Sequence, residues 1–200
     1  PGPRRRVPPA SAPLAHCQDV NQVWSADFKG QFRLGNHRWC YPFTLSDNYS
    51  RYLLACHGLH HPTEAGVRVL CQQVFRDYGL PAAIRTDNGA PFASRALGGL
   101  TRLAVWWLKL GITPERIAPG QPQQNGRHER MHRTLKAETT QPAASCLAAQ
   151  QRRFDQFHDE YNHERPHEAL GDRTPASRHR PSPRPFPRRV PRVEYDPAMQ

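Results

Sequence analysis

Three carboxylate residues occupy sequence settings that could hold metal ions. Asp27 lies in the run WSADF, Asp87 in TDNG and Glu129 in QNGRHE. Carboxylate oxygens are the hard ligands that Mg²⁺ prefers, and two paired divalent ions can activate an attacking oxygen while they stabilise a leaving one. The three residues therefore indicate metal-dependent phosphoryl transfer.

The elements that position the two aspartates follow from the residue pattern. Residues 23–28 alternate as a strand does, and Asp27 lies on it. An amphipathic helix is predicted over 63–78, ended by a glycine and a nearby proline. The short strand 82–86 then leads directly into Asp87.

Two further strands are predicted between the first strand and the helix, over 39–45 and 52–59, each after a turn. This order predicts an α/β fold, a ribonuclease-H-like mixed five-stranded sheet flanked by helices. A right-handed crossover can place the first and fourth strands side by side. Because ligands collect near strand ends in such sheets, we expect Asp27 and Asp87 to meet there.

Glu129 lies on a further predicted helix, over 123–139. At about 100° per residue, Met131 and Leu135 lie nearly opposite Glu129. The face of Glu129 is shared by polar and cationic residues: Asn125, Arg133 and Lys136.

Two other segments carry apolar patterns. The region 94–110 suits a helix or a buried strand, and its spacing favours the helix. A last helix is predicted over 147–161. Its apolar stripe indicates core packing rather than a cofactor site: Leu147, Phe154, Phe157 and Tyr161.

The charge balance favours a polyanionic partner. Lys and Arg number 28 against 17 Asp and Glu, a net charge of +11, and nucleic acid is the simplest such partner. Neither a long apolar run nor a signal peptide is present in the sequence, so a membrane partner is disfavoured. The five scattered cysteines form no Cys-x-x-Cys pair and indicate free thiols in a reducing cytoplasm.

Composition predicts three regions along the chain. Residues 1–18 form a basic Pro-rich linker or arm, and residues 19–178 form the catalytic core. Residues 179–200 form a Pro/Arg-rich extended tail, which we interpret as the start of a truncated C-terminal region.

One competing pattern concerns zinc. His128 to His132 matches H-E-x-x-H, in which two histidines bind Zn²⁺ and the glutamate activates water. The extended motif expects Gly and His where Leu135 and Glu138 stand, and the many arginines on this helix disfavour a cation. A zinc cluster of His57, His60 and His61 lacks paired cysteines. We therefore favour the carboxylate site.

An ordered series of motifs identifies a family resemblance. The motifs are WSADFKG at 24–30, SDNYSR at 46–51, YGLP at 78–81, RTDNG at 85–89, PGQPQQNG at 119–126, HERMHRTLK at 128–136, and YN, RPH, AL and TPA between 161 and 176. The chain resembles, over roughly 18–177, the integrase core of bacterial insertion-sequence transposases, relatives of retroviral integrases. Such enzymes carry an Asp-Asp-Glu triad.

The resemblance implies a DNA transposase. Its catalytic and metal-binding residues would be Asp27, Asp87 and Glu129, with two Mg²⁺ or Mn²⁺ ions per active site. The reaction would be cleavage of transposon ends and strand transfer into target DNA by direct transesterification. It further implies a homo-oligomer on DNA, in the bacterial cytoplasm and associated with the nucleoid.

The resemblance also has departures. Glu129 lies further from Asp87 in sequence than in many relatives, but its Asn-Gly-x-x-Glu-Arg context selects it. Because no helix-turn-helix precedes the core, an alternative is an inactive or incomplete fragment that only binds DNA. We predict DNA contacts from the basic terminal segments and from seven residues: Lys29, Asn88, Asn125, Arg127, Arg130, Arg133 and Lys136.

Overall fold

The computed structural model of the chain describes residues 14, 16–28, 30–93, 100–118 and 126–191. These residues form, in order, strands and helices with the following bounds: β1 Val23–Phe28, β2 Phe32–Arg33, β3 Trp39–Asp47, β4 Leu53–Leu59, α1 Glu64–Tyr78, β5 Ala83–Thr86, α2 Arg102–Lys109, β6 Thr113–Arg116, α3 Gly126–Thr139 and α4 Leu147–His163. Two short 3-10 turns, Glu168–Leu170 and Pro175–Ser177, follow α4.

The described strands form one mixed sheet. Strand β3 pairs antiparallel with β1 and β4, whereas β1 pairs parallel with β5, and β5 with β6. The short β2 pairs with Trp39 and Cys40, the first two residues of β3. Because β1 pairs with β3 only from Phe43 onward, β2 continues the line of β1 along β3. The predicted ribonuclease-H-like arrangement is confirmed, with six described strands where five were predicted. Strand β6, which was not located from the sequence, forms one edge.

Both faces of the sheet are buried. One face packs against α1 and α2 through a core that includes Trp24, Phe43, Phe75 and Trp107. The other face packs against α3 and α4 through a second core: Leu34, Cys40, Leu53, Cys56, Met131, Leu135, Phe154, Phe157 and Tyr161. The predicted core role of the α4 stripe is therefore confirmed, with Leu147 partly buried against the same cluster.

The helix boundaries follow from capping. Thr63 caps α1 by accepting a hydrogen bond from the backbone N–H of Gly66, and Gly79 ends the helix at φ 77°. The ambiguous region is a helix over 102–109, where Thr101 provides the N-cap. Its earlier part, 94–99, lies outside the described residues.

Residues 179–186, here called the C-terminal strap, run along the core without forming helix or strand. Ser182 donates its N–H to Tyr78 O at 2.7 Å, and Leu80 donates to Arg184 O at 2.7 Å. Phe186 packs against Phe75, with ring centroids 6.0 Å apart. The domain boundary at 178 stays a prediction, but the residues after it contact the core.

Two predictions made from composition can be compared with the structure. All five cysteines are free, and burial raises the pKa of the Cys40 and Cys71 thiols to about 12. These two are therefore unreactive packing residues. Among the described helices, none combines the length and apolar character needed to cross a membrane.

Candidate catalytic site

The sheet register places the two aspartates at the ends of neighbouring strands. Ala26 of β1 pairs with Thr86 of β5 in parallel, and Asp27 and Asp87 are the next residues on each strand line. Adjacent strands lie about 4.8 Å apart, so the two residues stand side by side at one edge of the sheet. The Asp27 side chain is 17% exposed, which leaves it open to a ligand.

The turn after β5 holds the Asp87 carboxylate. Gly89 donates its backbone N–H to Asp87 Oδ1 at 3.0 Å. A Cβ at Gly89 would lie 2.9 Å from Asp87 Oδ2, so a side chain there would push the carboxylate aside. Asn88, a predicted DNA contact, donates its side-chain amide to Ile117 O at 2.9 Å and ties this turn to the end of β6.

Helix α3 presents two faces, as its sequence predicts. Glu129 is exposed together with Arg130, Arg133 and Lys136, whereas Met131 and Leu135 are buried in the second core. The predicted contacts Lys29 and Asn125 lie outside the described residues, and nothing is described of the Arg127 side chain.

A buried polar network attaches α3 to β3. Thr44 Oγ1 lies 2.8 Å from His128 Nε2 and 2.6 Å from His132 Nε2. Ser46 Oγ lies 2.9 Å from His128 Nδ1. Both histidines are no more than 3% exposed, so unpaired nitrogens in this place would carry a full desolvation cost.

The network ends at Asp27. His132 Nδ1 lies 3.9 Å from Asp27 Oδ2, and burial lowers the pKa of His128 to about 3, so that ring is neutral. One direction of donation fits the three contacts between hydroxyls and rings: Ser46 to His128, His128 to Thr44, and Thr44 to His132. It leaves the His132 Nδ1–H facing the carboxylate at 3.9 Å, beyond hydrogen-bond distance. The reverse direction would turn a nitrogen lone pair toward the carboxylate.

This geometry answers the H-E-x-x-H alternative. The potential ligand atoms of Asp27, His128 and His132 lie within 4.8 Å of one another. Both ring nitrogens of His128 are nevertheless hydrogen bonded to hydroxyls, and Glu129 is exposed rather than turned toward the two rings. The histidines therefore serve to attach α3, a role that sequence reasoning missed, although their i, i+4 spacing places them on one face.

Two contacts position the elements that carry the predicted site residues. Strand pairing joins Asp27 to Asp87, and the His132 contact brings α3 to the end of β1. Glu129 lies one turn earlier than His132, about 60° around the helix. Convergence of its carboxylate with the two aspartates stays a prediction.

The mixed sheet, with Asp27 and Asp87 at adjacent strand ends and α3 attached beside them, is the ribonuclease-H-like fold that the sequence predicts. Two sequence profiles described as integrase core domain match the chain, over 18–122 and 110–175. The chain therefore belongs to the integrase core domain family, whose members are generally polynucleotidyl transferases.

Individual proteins agree with this assignment. An uncharacterized 31.7 kDa protein of insertion element IS407 from Burkholderia multivorans is 30% identical over 80% of the chain, which spans 57% of that relative. The magnesium complex of the HTLV-2 integrase catalytic core shares the fold with a TM-score of 0.64 at 15% identity, covering 82% of this chain and 99% of that one. The simian T-cell lymphotropic virus intasome, in complex with PP2A regulatory subunit B56 gamma, gives a TM-score of 0.67 at 18% identity, covering 94% and 66%.

Proposed function

We propose that the chain is the catalytic core of a DNA transposase that cleaves transposon ends and joins them to target DNA. The observation that carries this proposal is the parallel register of β1 and β5, which sets Asp27 beside Asp87. The attached helix α3 would add Glu129 from the same edge. The family assignment supplies the reaction class.

The donor set fits divalent cations. All three residues offer carboxylate oxygens, which suit Mg²⁺ or Mn²⁺. Two bound ions would polarise the phosphate and lower the pKa of the attacking hydroxyl. The chain's own contribution is to hold the carboxylates: the Gly89 N–H fixes one oxygen of Asp87, and His132 faces one oxygen of Asp27.

The reaction consists of two in-line displacements at phosphorus. In the first, water attacks the phosphodiester at a transposon end, forms a P–O bond and releases a 3′-OH. In the second, that 3′-OH attacks a target phosphodiester and displaces a target 3′ oxygen, so one ester bond replaces another. Only the nucleophile differs, and a covalent protein–DNA ester plays no part in the scheme.

DNA would be held by the exposed cations of α3, among which Arg133 and Lys136 share the Glu129 face. Two ends must be processed together, so we propose a homo-oligomer assembled on DNA, in the bacterial cytoplasm at the nucleoid. The intasome to which the fold is similar is one precedent for such an assembly.

The test supplies duplexes with recessed 3′-OH ends and a supercoiled plasmid, in Mg²⁺, Mn²⁺ or EDTA. We expect metal-dependent nicked and joined products that carry no protein after denaturation. Asp87→Asn should remove them, and Asp159→Asn, at an exposed acid on α4, should not. A protein–DNA adduct, or equal activity in EDTA, would contradict the scheme.

A further inference from the structure

The buried network between β3 and α3 can run in two directions. Thr44 Oγ1 lies 2.8 Å from His128 Nε2 and 2.6 Å from His132 Nε2, and a hydroxyl group donates only one hydrogen bond. Either His128 donates to Thr44 and Thr44 donates to His132, or His132 donates to Thr44 and Thr44 donates to His128. Each direction also allows the contact between His128 and Ser46. The network itself therefore does not fix the tautomer of His132.

The two directions differ at the nitrogen of His132 that faces Asp27. In the first direction His132 Nδ1 carries a proton, and in the second it presents a lone pair to Asp27 Oδ2 at 3.9 Å. A lone pair opposite a carboxylate oxygen is unfavourable when nothing lies between the two atoms. With a metal cation between them, the same two atoms are a pair of ligands. A bound cation therefore selects the second direction.

The separation of these two atoms suits a shared metal ion better than a hydrogen bond. At 3.9 Å it exceeds the usual N–H···O distance of about 2.7–3.2 Å. Two ligand atoms that each lie about 2.1 Å from one ion are roughly 3.0 to 4.2 Å apart, depending on the angle at the metal. The observed separation lies inside that interval, so both atoms can reach one ion with little movement.

The surroundings of His132 are those of a metal-bound histidine. In metal sites, the ring nitrogen that does not bind the metal usually donates its proton to an oxygen atom, which fixes the orientation of the ring. Thr44 Oγ1 is such an oxygen for His132 Nε2. The His132 side chain is 4% exposed and the Asp27 side chain 17%. Packing therefore holds the imidazole in place, while the carboxylate stays open to an ion.

The local charge also favours a cation at this place. Asp87 follows the strand that pairs with β1 and stands beside Asp27, and neighbouring carboxylates repel each other unless a cation or a proton separates them. His128 belongs to the same cluster, in which the potential ligand atoms lie within 4.8 Å of one another. Because hydroxyl groups occupy both of its ring nitrogens, His128 orients the network and is not a ligand.

We propose that His132 Nδ1 and Asp27 Oδ2 together bind one divalent cation, so that a nitrogen ligand joins the carboxylates at this edge of the sheet. The proposal rests on the proposed function in one respect, that Asp27 binds metal. It goes beyond the carboxylate set, because imidazole nitrogen is a good ligand for first-row transition metals, whereas Mg²⁺ prefers oxygen. His132 would therefore make the site prefer Mn²⁺ over Mg²⁺.

The test measures metal binding without DNA, so that catalysis plays no part. Mn²⁺ is titrated into the chain, and the free ion is followed by its electron paramagnetic resonance (EPR) signal. Competition by Mg²⁺ gives the Kd of the second ion. Pulsed EPR of the bound Mn²⁺ detects a nitrogen nucleus in its ligand shell, and isotopic labelling of histidine identifies the residue type.

Two variants separate metal ligation from the attachment of α3. In His132→Gln, the side-chain amide can still donate to Thr44, but no nitrogen lone pair faces Asp27. Ser46→Ala is the matched control, because it removes a hydroxyl group from the same network at the end away from Asp27. Circular dichroism and thermal unfolding check that both variants fold.

His132→Gln should remove the nitrogen signal and weaken Mn²⁺ binding about tenfold or more, since even the loss of a ligand's hydrogen-bond partner typically costs about 10–100-fold. The affinity for Mg²⁺ should change far less, so the preference for Mn²⁺ should fall. Ser46→Ala should keep the nitrogen signal and the ratio of the two Kd values. A merely structural role for His132 predicts instead that both affinities fall together.

The outcomes separate this proposal from the proposed function. Bound Mn²⁺ without a histidine signal, or with a signal that persists in His132→Gln, overturns the nitrogen ligand and leaves the carboxylate site intact. Equal losses of affinity for the two ions in His132→Gln also overturn it and assign His132 to the attachment of α3. Failure of the wild-type chain to bind either ion overturns both proposals. The expected nitrogen signal without any end joining supports the nitrogen ligand and contradicts the catalytic scheme.

Discussion

Arg184 of the C-terminal strap carries the same charge as Arg51, Arg130 and Arg165, which line a cavity beside α3 and α4, but in an opposite setting. Arg184 donates to Pro81 O, Leu110 O and Gly111 O at 2.6, 3.0 and 2.9 Å. Two of these carbonyls follow the end of α2, where the helix dipole favours a cation. Arg51, Arg130 and Arg165 instead line an accessible cavity.

The difference shows what net charge can and cannot report. The basic terminal segments were predicted to contact DNA, but Arg184 donates to backbone carbonyls, and Arg180 pairs with Asp19 at 2.8 Å. For these two residues the described role is intramolecular. A charge of +11 therefore sums cations that hold the fold and cations that can meet a polyanion.

The largest expected effect concerns Asp87, at the sheet edge that carries the predicted catalytic carboxylates. Asp87→Asn should lower the rate of metal-dependent joining at least about 10³-fold, because several kcal/mol of transition-state stabilisation are lost. The free energy of unfolding should change by less than about 1 kcal/mol, as for a surface substitution. Single-turnover joining and urea unfolding measure the two. A large loss of stability would place Asp87 among the structural residues instead.

The next effect concerns the surface on which the strap lies. In Gly79→Ala, the new Cβ would lie 2.7 Å from Ser182 O and Arg184 O, at a residue with φ 77°. We expect a loss of about 3 kcal/mol or more in urea unfolding, from strain and displaced backbone.

Gly171→Ala is the matched control for this glycine. Its φ is 65°, but a Cβ there would meet nothing within 4 Å. It should cost about 1 kcal/mol, the value for left-handed strain alone. Equal losses for the two variants would mean that strap contact adds nothing to stability.

Arg184→Gln tests the contribution of Arg184 to the attachment of the strap. Loss of charged hydrogen bonds to three carbonyls should lower the free energy of unfolding by about 2 kcal/mol. The salt dependence of DNA binding should remain that of the wild type, in contrast to Arg130→Ala. The exposed neighbour Arg188→Ala serves as the control for stability. A reduced salt slope for Arg184→Gln would remove the distinction between the two sets of arginines.

The smallest expected effect depends on pH. His179 of the strap stacks on Tyr52 with centroids 4.3 Å apart, and burial lowers its pKa. Below the ordinary histidine pKa, the unfolded chain binds a proton that the folded chain does not, so stability falls as pH falls. Each such group contributes at most about 1.4 kcal/mol per pH unit.

In His179→Gln, the free energy of unfolding should therefore decline less steeply between about pH 6.5 and 5. The slope should be smaller by up to about 1.4 kcal/mol per pH unit, the value for one proton. The remaining slope is expected from other histidines whose pKa burial lowers: His57, His128, His158 and His167. An unchanged slope would show that His179 titrates alike in the folded and unfolded chains.

Local patterns predicted the elements that local forces decide. Strand β1 has the predicted bounds, and α1 lies where its cap and its terminal glycine indicated. Strand β6 was missed because its four residues, TPER, include a proline and show no apolar alternation. Such a strand is tolerated at the edge of a sheet, and its pairing with β5 is a tertiary contact.

For the candidate site, too, local sequence predicted the residues, whereas contacts between distant segments could not be predicted. Its carboxylates could be chosen from residue type and motif, and the helical spacing correctly put Met131 and Leu135 opposite Glu129. The partners of His128 and His132 could not be predicted, since Thr44 lies on a distant strand. Composition also gives no sign that the strap contacts the core, because many of its bonds involve backbone atoms.

The strap has one further consequence, for truncation. Asn21 Nδ2 donates to Arg180 O at 2.8 Å across 159 positions of sequence, and Asp19 pairs with the Arg180 side chain. The segment that precedes β1 is therefore held by the strap, and the strap itself continues to Phe186, which packs against Phe75. A chain shortened at the predicted boundary of 178 would lose both attachments, so it would not be equivalent to the folded unit.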